Sequence, residues 1–357
     1  MPSYDVMPNM ELYQPVRVED ALDIASRYAD RGWLVGGGQD TYGWLKDRAK
    51  RADALIDLSA IESLRGVRET ADGIEIGALT TLTEIAENGL LKQSYSLLSK
   101  AASVVASPQI RNIGTLGGNV SQDVRCWYYR RGLSCYRAGG NLCYADTPQG
   151  MNREHSLFET SRCVAAGASD TAPALVALDA TMVLRSIDGE RTLSAEEYFV
   201  GPAVDIENTT ALRTGEILTA VRLPKAWANA TFYYEKVADR NVWDFSLVNV
   251  AAAFQVENGT IQESRVVCGG VQATPKRLRS VEQAVQGKAK GAVIAASVAG
   301  IASEGARALA HNGFKIPLME NLVKRAISAY ARRLFQPSFD VLSNRKGLVH
   351  HWISPFF

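Results

Sequence analysis

Residues 111–119 read RNIGTLGGN, and an earlier stretch, LVGGGQDT, fills residues 34–41. In both, glycines and small polar residues leave backbone N–H groups uncovered by side chains. Such groups can cradle phosphate oxygens, because their dipoles point outward with no Cβ in the way. One stretch alone is most simply a tight strand-to-helix turn. Two in the same region, the second closed by Asn119 as donor or acceptor, point to a ligand with two phosphates held between them. Neither stretch is G-x-G-x-x-G or G-x-x-x-x-G-K-[ST], so neither a Rossmann site nor a P-loop is indicated.

The flanking residues supply the elements that carry these loops. Residues 18–30 place Val18, Ala21, Leu22, Ile24 and Ala25 on one helical face, and GWLV (32–35) reads as a short buried strand entering the first glycines. ALIDLSAI (54–61) and GIEIGAL (73–79) are further strands. Thr81 and Glu84 are spaced as a capping box, and the helix over 97–107 is expected to stop at Pro108. From residue 217 the character changes: ILTAVRL, TFYYEKVA, LVNVAAAFQV and IQESRVVCGGV read as strands, with Asn258-Gly259 as a hairpin turn. Helices are expected over about 290–311 and 318–335, and a domain boundary over 224–229. The reading is α+β throughout, ending in a domain with an antiparallel sheet and helices on one face.

A chain of 357 residues is longer than one core usually covers, so two or three lobes are expected. The net charge of +1 offers no argument for nucleic acid or a membrane surface. No apolar run reaches the roughly 18 residues of a membrane span, and the N-terminus lacks the pattern of a secretory signal. The expected location is cytoplasmic, or periplasmic only if a signal-bearing partner carries the chain out. Of five cysteines, Cys126, Cys135, Cys143 and Cys163 crowd into 38 residues as C-x8-C-x7-C-x19-C, and Cys268 lies far away. An odd count without a signal argues against a disulfide framework. Four thiolates in one segment can hold zinc or an iron–sulfur cluster. Structural zinc sites usually show C-x(2–4)-C pairs, and none occurs here. Cys268, in a strand, is most simply a core residue.

The order of motifs resembles the FAD-binding medium subunit of the molybdenum hydroxylase (xanthine dehydrogenase) family. GGGQDT and RNIGTLGGN are followed by ASDTAPALVALDA (168–180), YEKVADRNVWDFSLVNVAAAF (234–254) and GGVQATPKRLRSVEQAVQGK (269–288), so the likeness spans roughly residues 10 to 335. The resemblance implies a two-lobed FAD-binding domain of the PCMH/VAO type over 1–226, a smaller α+β domain over 227–340, and a tail over 341–357. It implies that Leu34, Val35, Gly36, Gly37, Gly38, Gln39, Asp40 and Thr41 wrap the FAD pyrophosphate. Gly114, Thr115, Leu116, Gly117, Gly118 and Asn119 would meet it from the other side. Asp170 would hold the polar flavin arm, Leu218 would touch the flavin or adenine, and Lys236 would place a cation near them. Gln39 departs from the threonine often found there, which a backbone contact tolerates.

Most relatives have only a few residues between GGN and SD, whereas here Asn119 and Ser169 lie 50 positions apart. All four clustered cysteines fall in this extra segment, about 120–167. The insert resembles that of a branch that includes periplasmic-type aldehyde oxidoreductases and 4-hydroxybenzoyl-CoA reductases. That likeness implies a [4Fe–4S] cluster on Cys126, Cys135, Cys143 and Cys163, with zinc as the minor alternative. His155, in the insert, is read as structural or as tuning such a cluster. Tyr233, Tyr234 and Trp243 are candidates to cover the flavin, although strand aromatics are usually core. HHW at 350–352 is taken as tail.

The function implied is an electron-transfer flavoprotein subunit with no residue for substrate chemistry. A large molybdenum-cofactor subunit and a small [2Fe–2S] subunit would complete a heterotrimer or its dimer. The alternatives are a medium subunit of a CoA-thioester reductase, a stand-alone FAD dehydrogenase, or a zinc-stabilised binding protein.

Overall fold

A computed structural model of the protein describes residues 6–328; the expected tail over 341–357, with HHW, lies outside them. Three sheets organise the described chain. The first joins β1 (Glu11–Tyr13), β2 (Gly32–Val35) and β3 (Ala54–Asp57) in the parallel order β1-β3-β2. The helix Val18–Tyr28 crosses from β1 to β2 and buries Val18, Ala21, Leu22 and Ala25 against Ile56, Leu58 and Ile61. Their i, i+3, i+4, i+7 spacing puts all four on one stripe. β2 therefore ends, as a parallel strand with its crossover satisfied, directly at the first glycine loop. The crevice outside the carboxyl ends of parallel strands is where such folds bind ligands.

The second sheet is antiparallel and contains β4 (Val67–Thr70), β5 (Gly73–Gly77), β6 (Thr181–Ser186), β7 (Gly189–Ser194) and β8 (Ile217–Pro224) in the order β4-β5-β8-β6-β7. β8, which by character read with the later strands, is the central strand of this sheet and closes the domain just before the expected boundary. Thr81 and Glu84 form the expected capping box. Pro108 does not stop the preceding helix, which ends at Ser103. It instead opens the turn Pro108–Arg111 at its first position, capped by Ser107, where the missing N–H costs nothing.

The third sheet, β9 (Thr231–Val237), β10 (Val248–Glu257), β11 (Thr260–Gly269) and β12 (Lys276–Arg277), is antiparallel in the order β12-β11-β10-β9. Asn258 (φ 50°) and Gly259 (φ 79°) are the two left-handed residues of its hairpin. One face, with Val250, Phe254, Val266 and Cys268, packs under the helices Arg279–Val285, Ala292–Val298 and Lys315–Ser328. The other face, with Ala251, Ala253 and Val267, joins the core of the second sheet. The helix expected over 290–311 is shorter: it passes at Ala299–Ser303 into 3-10 turns, and the chain leaves them at Gly305 with φ 79°. The last helix begins at Lys315 rather than 318.

The segment 120–167 carries little regular structure, only Trp127–Arg130 and one 3-10 turn, Tyr136–Ala138, beyond the end of the helix Leu116–Val120. It is nevertheless anchored. Leu157 and Phe158 enter the core of the third-sheet domain. The fully buried Lys315 donates its ammonium to the carbonyls of Glu154 (3.0 Å), His155 (2.9 Å) and Gly270 (2.7 Å). Burial pushes that ammonium down to about 7.

Candidate functional site: a glycine-walled cleft beside a four-thiol pocket

The two glycine loops pack against each other. Gly37 and Gly38 have φ of 100° and 76°, open to glycine at no steric cost. A Cβ on Gly37 would lie 2.4 Å from the Ile113 carbonyl oxygen, and one on Gly118 would lie 2.9 Å from the Gly36 carbonyl oxygen. The Thr115 hydroxyl donates to the Gly36 carbonyl at 2.7 Å and accepts from the Gly118 N–H at 3.1 Å. So the first thing that comes too close for a side chain at Gly37 is the partner loop, not a ligand. The paired loops form one wall of a cleft of about 830 Å³.

Of the residues singled out by sequence, Leu34, Gly36, Gly38, Gln39, Asp40, Thr41, Gly114, Thr115, Gly118, Asn119 and Asp170 line this cleft. Val35 and Leu116 are buried behind it, and Gly117 makes room for Ala78. Leu218 points into the core of the second sheet, paired with Leu184, and does not line the cleft. The preceding segment 207–216 does line it, including Glu207, Thr209, Arg213 and Glu216. Its residues carry no glycine or charge pattern that distinguishes them in sequence from an ordinary loop. Trp243 and Phe245 also line the cleft, on the loop between β9 and β10, and Trp243 is 60% exposed rather than core. Tyr234 instead donates to the Asp170 carbonyl at 3.0 Å.

Lys236 is not a free cation facing the cleft. Its ammonium is 2.6 Å from Asp170 and also donates to the Val104 and Asp244 carbonyls at 3.1 and 2.7 Å. Asn249 donates to the second Asp170 oxygen at 3.1 Å. Burial pushes the Asp170 carboxyl above the usual carboxylate range, while Lys236 and Asn249 pull it back. Ser169 and Thr171 both donate to the Asn119 side-chain oxygen, at 2.7 and 2.6 Å. Asp170 thus ties the third sheet to the second glycine loop. Asp170→Ala is expected to cost about 3–5 kcal/mol, since it strands a buried ammonium. It should lower the denaturant midpoint and weaken flavin retention; a variant that kept both would contradict this placement.

The cleft has no positive field of its own. Lys50, Arg51, Arg125 and Arg213 line it, against seven carboxylates: Asp30, Asp40, Asp123, Asp170, Asp244, Glu207 and Glu216. An anionic ligand there depends on oriented backbone dipoles. The N–H groups of Gly37, Gly38, Gln39 and Asp40 find no acceptor among the described residues, so they are available for phosphate oxygens.

Beside the cleft, Cys126, Cys135, Cys143 and Cys163 line one pocket together with His155, Arg137, Arg162 and Tyr129. All five cysteines are free thiols. Cys268 lies apart in β11, fully buried, with its thiol pushed up to about 12. Burial likewise pushes Cys126 up to about 11 and Cys143 upward. Thiolates in this pocket therefore need a compensating positive charge. His155 Nε2 is 3.4 Å from the Cys126 sulfur, and burial pushes its imidazole down to about 4. Among the described residues no three His, Cys, Asp or Glu side chains converge as ligands of a single ion.

The thiol pocket adjoins the cleft, with Trp44 on the cleft wall packed against Tyr129 of the pocket. Arg125 and Arg130, flanking Cys126, both donate to one Asp40 oxygen, at 2.9 and 3.1 Å, and Trp44 donates to the other at 2.8 Å. The Arg130 guanidinium lies 4.2 Å from the Trp44 ring, and Arg125 4.3 Å from Phe245. Asp40 holds the N-cap position of the helix Thr41–Lys46, but its carboxylate faces the insert.

Two facing glycine loops at the end of a parallel strand, over a cleft with free N–H groups, define a protein built to take a phosphate-bearing ligand on its backbone. The family described as FAD binding domain in molybdopterin dehydrogenase matches residues 8–226, and CO dehydrogenase flavoprotein C-terminal domain matches 233–330. The chain belongs to this family of FAD-binding medium subunits of molybdenum hydroxylases and CO dehydrogenases. It is 30% identical over 274 residues to the aldehyde oxidoreductase FAD-binding subunit PaoB of Escherichia coli K12, covering 76% of this chain and 84% of that one. To the carbon monoxide dehydrogenase medium chain of Hydrogenophaga pseudoflava it is 27% identical over 329 residues, covering 91% and 98%. A carbon monoxide dehydrogenase structure from the same organism shares the fold with a TM-score of 0.72 at 24% identity, over 90% of this chain and 97% of that one. No helix among the described residues is long and apolar enough to cross a membrane.

Proposed function

We propose that the chain holds FAD noncovalently with its pyrophosphate against the paired glycine loops, and passes electrons between [2Fe–2S] centres of a partner subunit and an external acceptor. The observation that carries this is the row of unpartnered N–H groups on Gly38, Gln39 and Asp40 in a cleft without net positive lining. Thr115 holds Gly36, and Asp170, anchored by Lys236, holds the Asn119 end. When bound, FAD supplies the exchange between one- and two-electron carriers. The likeness to an aldehyde oxidoreductase subunit supports a molybdenum-cofactor large subunit and a [2Fe–2S] small subunit as partners, in a heterotrimer acting on aldehydes or heterocycles.

The same proposal assigns a [4Fe–4S] cluster to Cys126, Cys135, Cys143 and Cys163. Four free thiols around one pocket, three of them buried, support it. A zinc ion would need all four sulfurs about 2.3 Å from one point. A cluster binds each thiolate at a separate iron and accepts a wider spread.

Acid precipitation should release flavin to the supernatant, because neither loop contains the His or Cys that tethering requires. Iron with labile sulfide in the same sample supports the cluster; zinc without flavin would instead favour a zinc-stabilised binding protein. A stand-alone dehydrogenase would purify without companion chains and reduce its flavin directly with an organic substrate.

A further inference from the structure

The thiol pocket contains a buried cation with two of its nitrogens unmet by any oxygen or nitrogen. The Arg137 side chain is 1% exposed. Its Nη1 donates to the Glu207 carbonyl at 2.9 Å and stands 3.5 Å from Asp123. Asp123 is closer to Lys50, at 3.1 Å, so its charge is already met. Arg137 Nε and Nη2 are buried with no oxygen or nitrogen partner, and the side chain's further polar neighbour is the Cys163 sulfur; His155 Nδ1, on the same pocket, is likewise unmet. A guanidinium presents its N–H groups in a rigid fork, and burying them unmet is unfavourable. The 3-10 turn Tyr136–Ala138, directly after Cys135, holds Arg137 among the four thiols. Neutral thiols are weak acceptors and give such a cation nothing to neutralise.

We propose that Arg137 is the counter-cation of the iron–sulfur cluster, donating Nε–H and Nη2–H to its sulfurs and raising its reduction potential. This rests on the cluster assigned above to the four cysteines. A [4Fe–4S] core with four thiolates is a dianion that becomes a trianion on taking up one electron, with no bond formed or broken and no proton moved. A fixed guanidinium beside the sulfurs stabilises the trianion more than the dianion, so the electron is held more tightly. Because Nη1 also grips the Glu207 carbonyl and Asp123, both on the wall of the flavin cleft, the same side chain fixes the cluster's position relative to that cleft.

The test is a redox titration of the full chain, purified without oxygen and followed by the paramagnetic resonance of the reduced cluster. Arg137→Gln should keep its iron but lower the equilibrium constant for cluster reduction at least tenfold, a fall of about 59 mV for a one-electron couple. Arg137→Lys, which keeps the charge but not the fork, should recover part of that loss. A potential unchanged in Arg137→Gln with full iron overturns the proposal and leaves the cluster assignment standing. A wild-type chain without iron and sulfide overturns both. If Arg137→Gln cannot hold the cluster at all, the reduced wild-type protein labelled with ¹⁵N-arginine decides. A hyperfine coupling from guanidinium nitrogen to the cluster spin is expected, and its absence overturns the proposal.

Discussion

Replacing Cys143 with serine is expected to lower iron by up to four atoms per chain while FAD stays bound. Cys143 is the most exposed of the four thiols. A serine oxygen is a poor ligand for iron, and three thiolates leave one corner of a cubane open. The paired glycine loops do not depend on it, because the contact of Thr115 with Gly36 and of Gly37 with Ile113 lies outside the insert. The composition of the insert suggests that the whole of it should come apart without its cluster. The structure narrows that expectation: Leu157 and Phe158 are in a hydrophobic core, and Lys315 and Asn312 hold the carbonyls of Glu154, His155 and Ser156. New protease sites should therefore appear between about residues 131 and 150 and not at 152–158. Cys268→Ser should leave iron unchanged. Iron and sulfide analysis with limited proteolysis checks these outcomes; full iron in Cys143→Ser, or its loss in Cys268→Ser, would sink the ligand assignment.

Gly37→Val should reduce flavin affinity more than a hundredfold. A β-branched residue at φ 100° is strained by about 1–3 kcal/mol. Its Cβ would also meet the Ile113 carbonyl at 2.4 Å, a distance no packing tolerates. Relief requires the two glycine loops to part, which breaks the bond from Thr115 to Gly36 and disperses the free N–H groups. A loss of about 3 kcal/mol in binding is more than a hundredfold in Kd. Gly66→Val separates strain from collision, since Gly66 also has a positive φ, 91°, but nothing lies within 4 Å of its Cβ position. It should keep its flavin. Flavin-to-protein ratios after gel filtration, with fluorescence titration of the deflavinated protein, measure both. Equal retention in the two variants would show that the loop contact is not what holds the cofactor.

Local chemistry was legible in residue order. Thr81 and Glu84 cap their helix as spaced, Asn258-Gly259 turns its hairpin, and the stripe Val18, Ala21, Leu22, Ala25 buries the face it predicts. Each depends on residues within a few positions of one another, where backbone geometry fixes the outcome. Both glycine loops could likewise be read as uncovered backbone. Their reason could not, because Gly37 answers to Ile113 and Gly36 to Thr115, some 76 to 79 positions away in the chain.

The same distance in sequence explains the misplacements. Lys236 read as a cation for the flavin, but Asp170, which read as a flavin contact, neutralises it at 2.6 Å. Leu218 read as a cleft residue because of its motif, yet it packs with Val221 and Leu223 in the core of the second sheet. Arg125 and Arg130 carry no motif, and only the packing of the insert brings both onto Asp40. The sequence by itself determined several of the elements, the turn chemistry, the two uncovered loops and the presence of four thiols in one added segment. The tertiary structure alone decided which charges cancel, which donors stay free and which thiols share a pocket. Those are properties of contacts between distant segments, and a buried charge takes its meaning from whatever the fold sets beside it.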